Sequence, residues 1–165
     1  PVVLWISGSP GIGKSHLMQR IIQELSERLE RPLTVFPRTG KDEFWSGYVQ
    51  QDIVVWDDFG IDKEAKDHED FVRIKTPAAT KLNMASLKDK GQNFTSPFII
   101  ICSNFDYTET SAAVNLTETI NRRRDFVYHV DDPFYEQWRA DHGGLTPNNV
   151  MNPQVERDGV MQDYY

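Results

Sequence analysis

The chain is short of cysteine, of long apolar runs and of positive charge. Cys102 is its one cysteine. A lone cysteine excludes an internal disulfide and a multi-cysteine zinc site, and it suits a reducing compartment. No apolar run approaches the roughly 18 residues of a membrane span, and the first residues do not read as a signal peptide. Lys and Arg total 18 against 25 Asp and Glu, a net charge of −7. That balance argues against a surface that coats nucleic acid generally. It leaves room for a small basic patch or a narrow channel in an oligomer. No internal repeat is visible. A chain of 165 residues suits one domain. At that size about 70% of the unfolded surface is buried, so a core forms without covalent staples. Pro1 precedes a strand-like run by one residue, which reads as a domain taken from something longer. Membrane anchors or further domains would then lie outside this chain.

Hydrophobic patterning divides what is there. "VVLWIS" (2–7) is an apolar, β-rich run bounded by glycine and reads as a buried strand. Residues 15–30 carry Leu17, Ile21, Ile22, Leu25 and Leu29 at helical spacing, and Pro32 limits that helix. "DIVVWDD" (52–58) and "PFIIICSN" (97–104) read as two more buried strands, and "DFVYHV" (125–130) as another. "HEDFVRIK" (68–75) predicts a short helix that stops before Pro77. Val35 and its neighbours offer an edge strand. Apolar strands alternating with helices indicate a parallel sheet covered on both faces, a three-layer αβα architecture. Residues 1–130 form the expected core. Residues 131–165, rich in Pro, Asn, Gly and Asp, are expected to be a mostly irregular extension packed on or trailing it.

The stretch "GSPGIGKS" has too few side chains to build a core. Gly8, Ser9, Pro10, Gly11, Ile12, Gly13, Lys14 and Ser15 match G-x-x-x-x-G-K-S, directly after a strand and before a helix. Glycines let backbone N–H groups converge on phosphate oxygens. The following helix adds its positive end. Lys14 would reach the β- and γ-phosphates of a nucleoside triphosphate such as ATP, and Ser15 Oγ would hold Mg2+. The alternative is a glycine-rich turn without function.

A magnesium held by Ser15 needs a carboxylate. Asp57 and Asp58 stand at the end of an apolar strand. Asp57 would hold the metal, mostly through water, and Asp58 would accept a proton from the attacking water. The two roles could be exchanged, or the pair could simply end a strand. Asn104 ends another strand and could bond a water or the γ-phosphate, although Asn favours strand ends in any case. Cys102 lies inside an apolar run and reads as packing. Arg122, Arg123 and Arg124 precede the last strand. An arginine supplied across a subunit interface stabilises charge on a transferring phosphoryl group. A solvated helix end or a nucleic-acid contact are the competing readings.

The order of these pieces resembles the superfamily 3 helicases, specifically the 2C-type ATPase of picorna-like positive-strand RNA viruses. "FWSGYVQQDIVVWDD" (44–58) resembles that family's aromatic–Gly–Tyr–x–Gln segment leading into paired acids. "ASLKDKGQNFTSPFIIICSN" (85–104) resembles its A-x-L-x-x-K-G-x-x-F-x-S block leading into the Asn motif, and "NRRRDF" resembles its paired arginines. The resemblance covers residues 2–130. The pair aligns most simply on Arg122 and Arg123, with the triple arginine leaving the register open by one. The cysteine-rich zinc module of some members is absent.

The resemblance implies a homo-oligomer, a hexameric ring of αβα domains with ATP and Mg2+ at each subunit boundary. Gly8–Ser15, Asp57, Asp58 and Asn104 would come from one subunit and an arginine from its neighbour. Single-stranded or structured RNA would thread the pore, with Lys88 and Lys90 as candidate contacts. Other viral replication proteins would be partners. The site of action would be the host cytoplasm, at replication membranes reached through segments outside this chain. Trp45, Tyr48 and Phe94 are candidates for base stacking or for packing. Other readings remain open: a Rep-type helicase of small circular DNA viruses, a helicase loader of the AAA+ kind, and an ATP-gated scaffold with little unwinding.

Overall fold

The computed structural model describes residues 1–61, 66–106, 114–146, 154–157 and 160–163. The chain runs β1 (Val2–Gly8), α1 (Lys14–Arg28), β2 (Val35–Thr39), β3 (Ile53–Phe59), α2 (Lys66–Ile74), β4 (Phe98–Ser103), α3 (Val114–Asn121), β5 (Phe126–Val130), α4 (Pro133–Asp141), β6 (Gln154–Arg157) and β7 (Val160–Asp163). The first five strands form one sheet in the order β2-β3-β4-β1-β5, every neighbour parallel. This is the αβα architecture expected from the alternating apolar strands and helices. β6 and β7 pair antiparallel on their own.

The pleat sorts the apolar runs onto two faces, because successive side chains of a strand point to opposite sides. Val3, Trp5, Val54, Trp56, Ile99 and Ile101 join a core completed by Phe71 and Ile74 of α2 and Ile120 of α3. Ile6, Ile53, Val55, Ile100 and Cys102 face the other way, onto Met18, Leu17, Ile21 and Ile22 of α1. Continuous apolar strands were therefore needed: the three central strands have no solvent face. Cys102 is fully buried, 3.9 Å from the Met18 sulfur. Burial, with the Asp57 charge beside it, pushes its thiol up to about 12. It packs, as its place in an apolar run indicated.

The aromatic–Gly–Tyr segment is structural. Trp45 and Tyr48 are each 1% exposed. Tyr48 Oη accepts from the Thr95 and Ser96 amides at 3.0 Å and pairs with Ser96 Oγ at 2.8 Å. Phe94 stacks on the Tyr48 ring at 5.7 Å. These rings are used up in packing, and bases cannot stack on Trp45 or Tyr48.

Arg38 of β2 is buried between aromatic faces, its guanidinium 4.2 Å from the Trp45 ring centre and 4.8 Å from that of Trp56. It donates to the Asp42 and Phe44 carbonyls at 2.8 and 3.2 Å and pairs with Asp70 of α2 at 2.5 Å. Burial lowers its pKa and the Asp70 charge opposes that. Losing one partner of a buried pair leaves the other charge stranded, at about 3–5 kcal/mol. Arg38→Ala should lower stability by that amount, read as a shifted denaturant midpoint. A change near zero would mean that the pair is solvated.

The segment after Asp131 departs from expectation, because α4 forms within it. Its signal is in the sequence. Asp132 caps the helix, its carboxylate accepting from the Phe134 and Tyr135 amides, and Pro133 takes the first position. The surrounding Pro, Asn and Gly obscured a helix only nine residues long. α3 was not anticipated either. "VNLTETIN" is made mostly of weak helix formers, and Ile120 is its one fully buried apolar side chain among those described.

Candidate functional site

The phosphate-loop sequence lies at the carboxyl end of the central strand β1, where open α/β sheets bind ligands. The loop bends through positive φ at Gly11 (79°) and Gly13 (98°), backbone that only glycine adopts without strain. A Cβ at Gly13 would meet nothing within 4 Å, so the glycine is there for backbone shape rather than for packing. Gly13 is also the N-cap of α1. It gives no side-chain cap, and the first turn carries no acidic residue. The helix thus presents uncapped N–H groups and its positive end toward the loop.

Lys14 reaches across the loop. Its Nζ donates to the Gly8 and Ser9 carbonyls at 2.9 Å and to Asn104 Oδ1 at 2.8 Å. Partial burial lowers its pKa, with Asp57 and Asp58 among the charges opposing. Ser15 Oγ donates to Asp57 Oδ2 at 3.4 Å. A hydroxyl and a carboxylate face each other across the β1 and β3 ends. Such hard oxygens suit Mg2+, which keeps most of its water and takes few protein ligands. Among the described residues no cluster of three or more His, Cys, Asp or Glu could hold a metal alone.

Asp58 is exposed and sits in left-handed backbone (φ 52°), within the stretch between Trp56 and Phe59 where the β3–β4 register shifts. The kink turns the strand end, so Asp57 and Asp58 occupy different environments: Asp57 is partly shielded beside Ser15, Asp58 open to solvent. The structure therefore brings together Gly8–Ser15, Asp57 and Asn104, with Asp58 at the margin. Beside them lies a cleft of about 560 Å³ bordered by Gly8, Ser9, Gly60, His68, Asn104 and His129. Sequence reasoning missed its outer wall. Asp67 of α2 is buried, accepts from the Gly60 amide at 2.6 Å and holds His68 Nδ1 at 2.6 Å. No local pattern marks that role.

The arginines are not beside the phosphate loop. Their backbone precedes β5, at the opposite end of the sheet, although the Arg124 side chain reaches Asp106 at the border of the cleft. Arg124 is committed: its guanidinium lies 5.2 Å from the Trp5 ring centre, donates to the Asp106 carbonyl at 2.6 Å and bonds Asn121. Arg123 donates to the Thr119 carbonyl at 2.9 Å. Arg122 is exposed, and its side chain has no hydrogen-bond or ion-pair partner among the described residues. Lys88 and Lys90 are exposed at the tip of a loop closed by Leu82 N to Gln92 O and Phe94 N to Thr80 O, beside Leu87, which is 78% exposed.

A family model for RNA helicase matches residues 4–105, which contain the loop, both acids and Asn104. The chain is 35% identical over 133 residues, 78% of its length, to the RNA1 polyprotein of Satsuma dwarf virus. It is 33% identical over 132 residues to the RNA1 polyprotein of broad bean wilt virus 1, and 32% over 133 residues to the genome polyprotein of human hepatitis A virus. It spans only 6–7% of the length of these polyproteins. The match covers most of the chain and includes the phosphate loop, so this chain belongs to the RNA helicase family, as a superfamily 3 helicase domain of the kind carried in picorna-like viral polyproteins.

Proposed function

We propose that the domain is an ATP-hydrolysing motor of viral RNA replication, acting as an oligomeric, hexameric ring on RNA. The observation that carries this is the Lys14 ammonium held between the loop carbonyls and Asn104, beside the Ser15–Asp57 pair. It gathers an ammonium, an amide, a hydroxyl and a carboxylate at the mouth of one loop, the groups that a γ-phosphate contact and a magnesium ion would need. Magnesium would neutralise charge on the β- and γ-phosphates. Ser15 and Asp57 would hold it. Lys14 would move from the loop carbonyls to the phosphates, and Asn104 would orient the water. Asp58, the more solvated acid, would take the proton. The RNA-virus relatives favour RNA over the DNA-virus alternative. The exposed tip around Leu87, Lys88 and Lys90 suits contact with a strand in a ring's pore. Replication proteins of the same virus are the expected partners, and host membranes would be reached through segments outside this chain.

Two measurements test this reading. Phosphate release per protomer should rise with protein concentration as subunits associate, and strand separation should accompany it; turnover without separation would favour the ATP-gated scaffold. Asp58→Asn should still bind Mg-ATP but lose roughly 10²–10⁴ in turnover, the range of one general base. Asp57→Asn should instead weaken the magnesium dependence of binding. Equal loss of metal-dependent binding in both variants would show that the division of roles is wrong.

A further inference from the structure

The segment after β5 touches the phosphate loop. Val130, the last residue of β5, is in register with Gly8, so the chain leaves the sheet directly beside the loop. The Asp132 cap and Pro133 start α4 at once, and the first turn carries Tyr135 inward until it is fully buried. Tyr135 Oη donates a hydrogen bond to the Pro10 carbonyl. After α4 the chain turns back, with Gly144 N on the Arg139 carbonyl at 2.8 Å. Thr146 then comes to the loop as well. A Cβ placed on Gly11 would lie 2.7 Å from Tyr135 Oη and 2.9 Å from Thr146 Cβ. The Pro10–Gly11 peptide is therefore packed on its outer side by two residues of the extension.

A trans peptide is planar, and its C=O and N–H point in opposite directions. Tethering the Pro10 carbonyl outward therefore fixes the Gly11 N–H toward the inside of the loop. An untethered peptide flanked by glycine can rotate and turn a carbonyl oxygen inward, where it would oppose an anionic ligand. Donors fixed in advance cost no reorganisation when charge arrives. We propose that Tyr135 is a positioning residue of the phosphate loop, and that residues 131–146 form a wall of the nucleotide site rather than a trailing extension. This rests on the reading of the loop as a nucleoside triphosphate site.

Tyr135→Phe keeps the ring and removes the one donor. A net hydrogen bond of about 0.5–1.5 kcal/mol corresponds to roughly 2–12-fold. The Kd and KM for Mg-ATP should rise by about that factor, with kcat changed less and the unfolding temperature little changed. A packing role alone would lower the unfolding temperature and leave the Kd of the folded protein unmoved. The second measurement uses the unsubstituted chain. Saturating Mg-ATP should slow amide hydrogen exchange in peptides from residues 132–146 as well as in those from 8–15. Protection of 8–15 without protection of 132–146, or a wild-type Kd for folded Tyr135→Phe, overturns the positioning role. If the wild-type chain binds no Mg-ATP and neither segment is protected, the nucleotide reading itself fails.

Discussion

Lys14→Ala should remove ATP hydrolysis and leave the protein folded. The two halves of that result have separate causes. Among the described residues, Lys14 is the one side chain that bonds both loop carbonyls and Asn104. Its charge is aimed at the place where phosphate negative charge would accumulate. Removing a single donor of this kind from a preorganised site costs roughly 10²–10³ in rate, and the loss here includes a full charge. Lys14 is absent from both apolar clusters. Asn104 is exposed and Ser9 half-exposed, so water can replace the ammonium at two of its three acceptors. The unfolding temperature should shift by a few degrees at most. Phosphate release and thermal unfolding measured on one preparation check both halves. Full turnover by folded Lys14→Ala would sink the phosphate-loop assignment, and an unfolded variant would mean that the lysine holds the loop together.

The parallel sheet was legible because burial on both faces leaves long apolar runs. "VVLWIS", "DIVVWDD" and "PFIIICSN" became β1, β3 and β4 with boundaries moved by a residue or two. The phosphate loop was legible for the opposite reason, since its lack of side chains is itself the pattern. What stayed hidden depends on contacts between distant positions. Arg38 reads as a charged strand residue, yet it is buried because Trp45, Trp56 and Asp70 converge on it. Tyr135 reads as an aromatic in an irregular segment, and only the β1–β5 register brings it to Pro10. Trp45 and Tyr48 could be read as stacking platforms or as packing, and the sequence held nothing to decide between them. The Ser96 and Thr95 amides decide it by occupying the Tyr48 hydroxyl.

Arg122→Ala should reduce turnover by roughly 10³–10⁵ while changing nucleotide binding little, because an arginine finger meets charge that grows only in the transition state. Local geometry orders the three arginines for this role. Arg124 is engaged with Trp5, Asp106 and Asn121, so Arg124→Ala should show first as lost stability. Arg123 is partly engaged through the Thr119 carbonyl. Arg122 is exposed and is the first choice. Its backbone lies at the far end of the sheet from its own phosphate loop. β5 runs parallel to β1, with the arginines before its first residue and Gly8 opposite its last. Five residues at roughly 3.3 Å each place the two ends roughly 15 Å apart. That separation favours the proposed action of Arg122 on a neighbouring subunit's loop. Two inactive proteins should then complement each other. Lys14→Ala retains the arginine, and Arg122→Ala retains the loop. Mixed oligomers contain some boundaries where an intact loop meets an intact arginine. Phosphate release should pass through a maximum as the mixing ratio is varied, provided that subunits exchange and one complete boundary can turn over. Mixed oligomers that form and stay inactive at every ratio would assign the arginines to structure or to RNA contact.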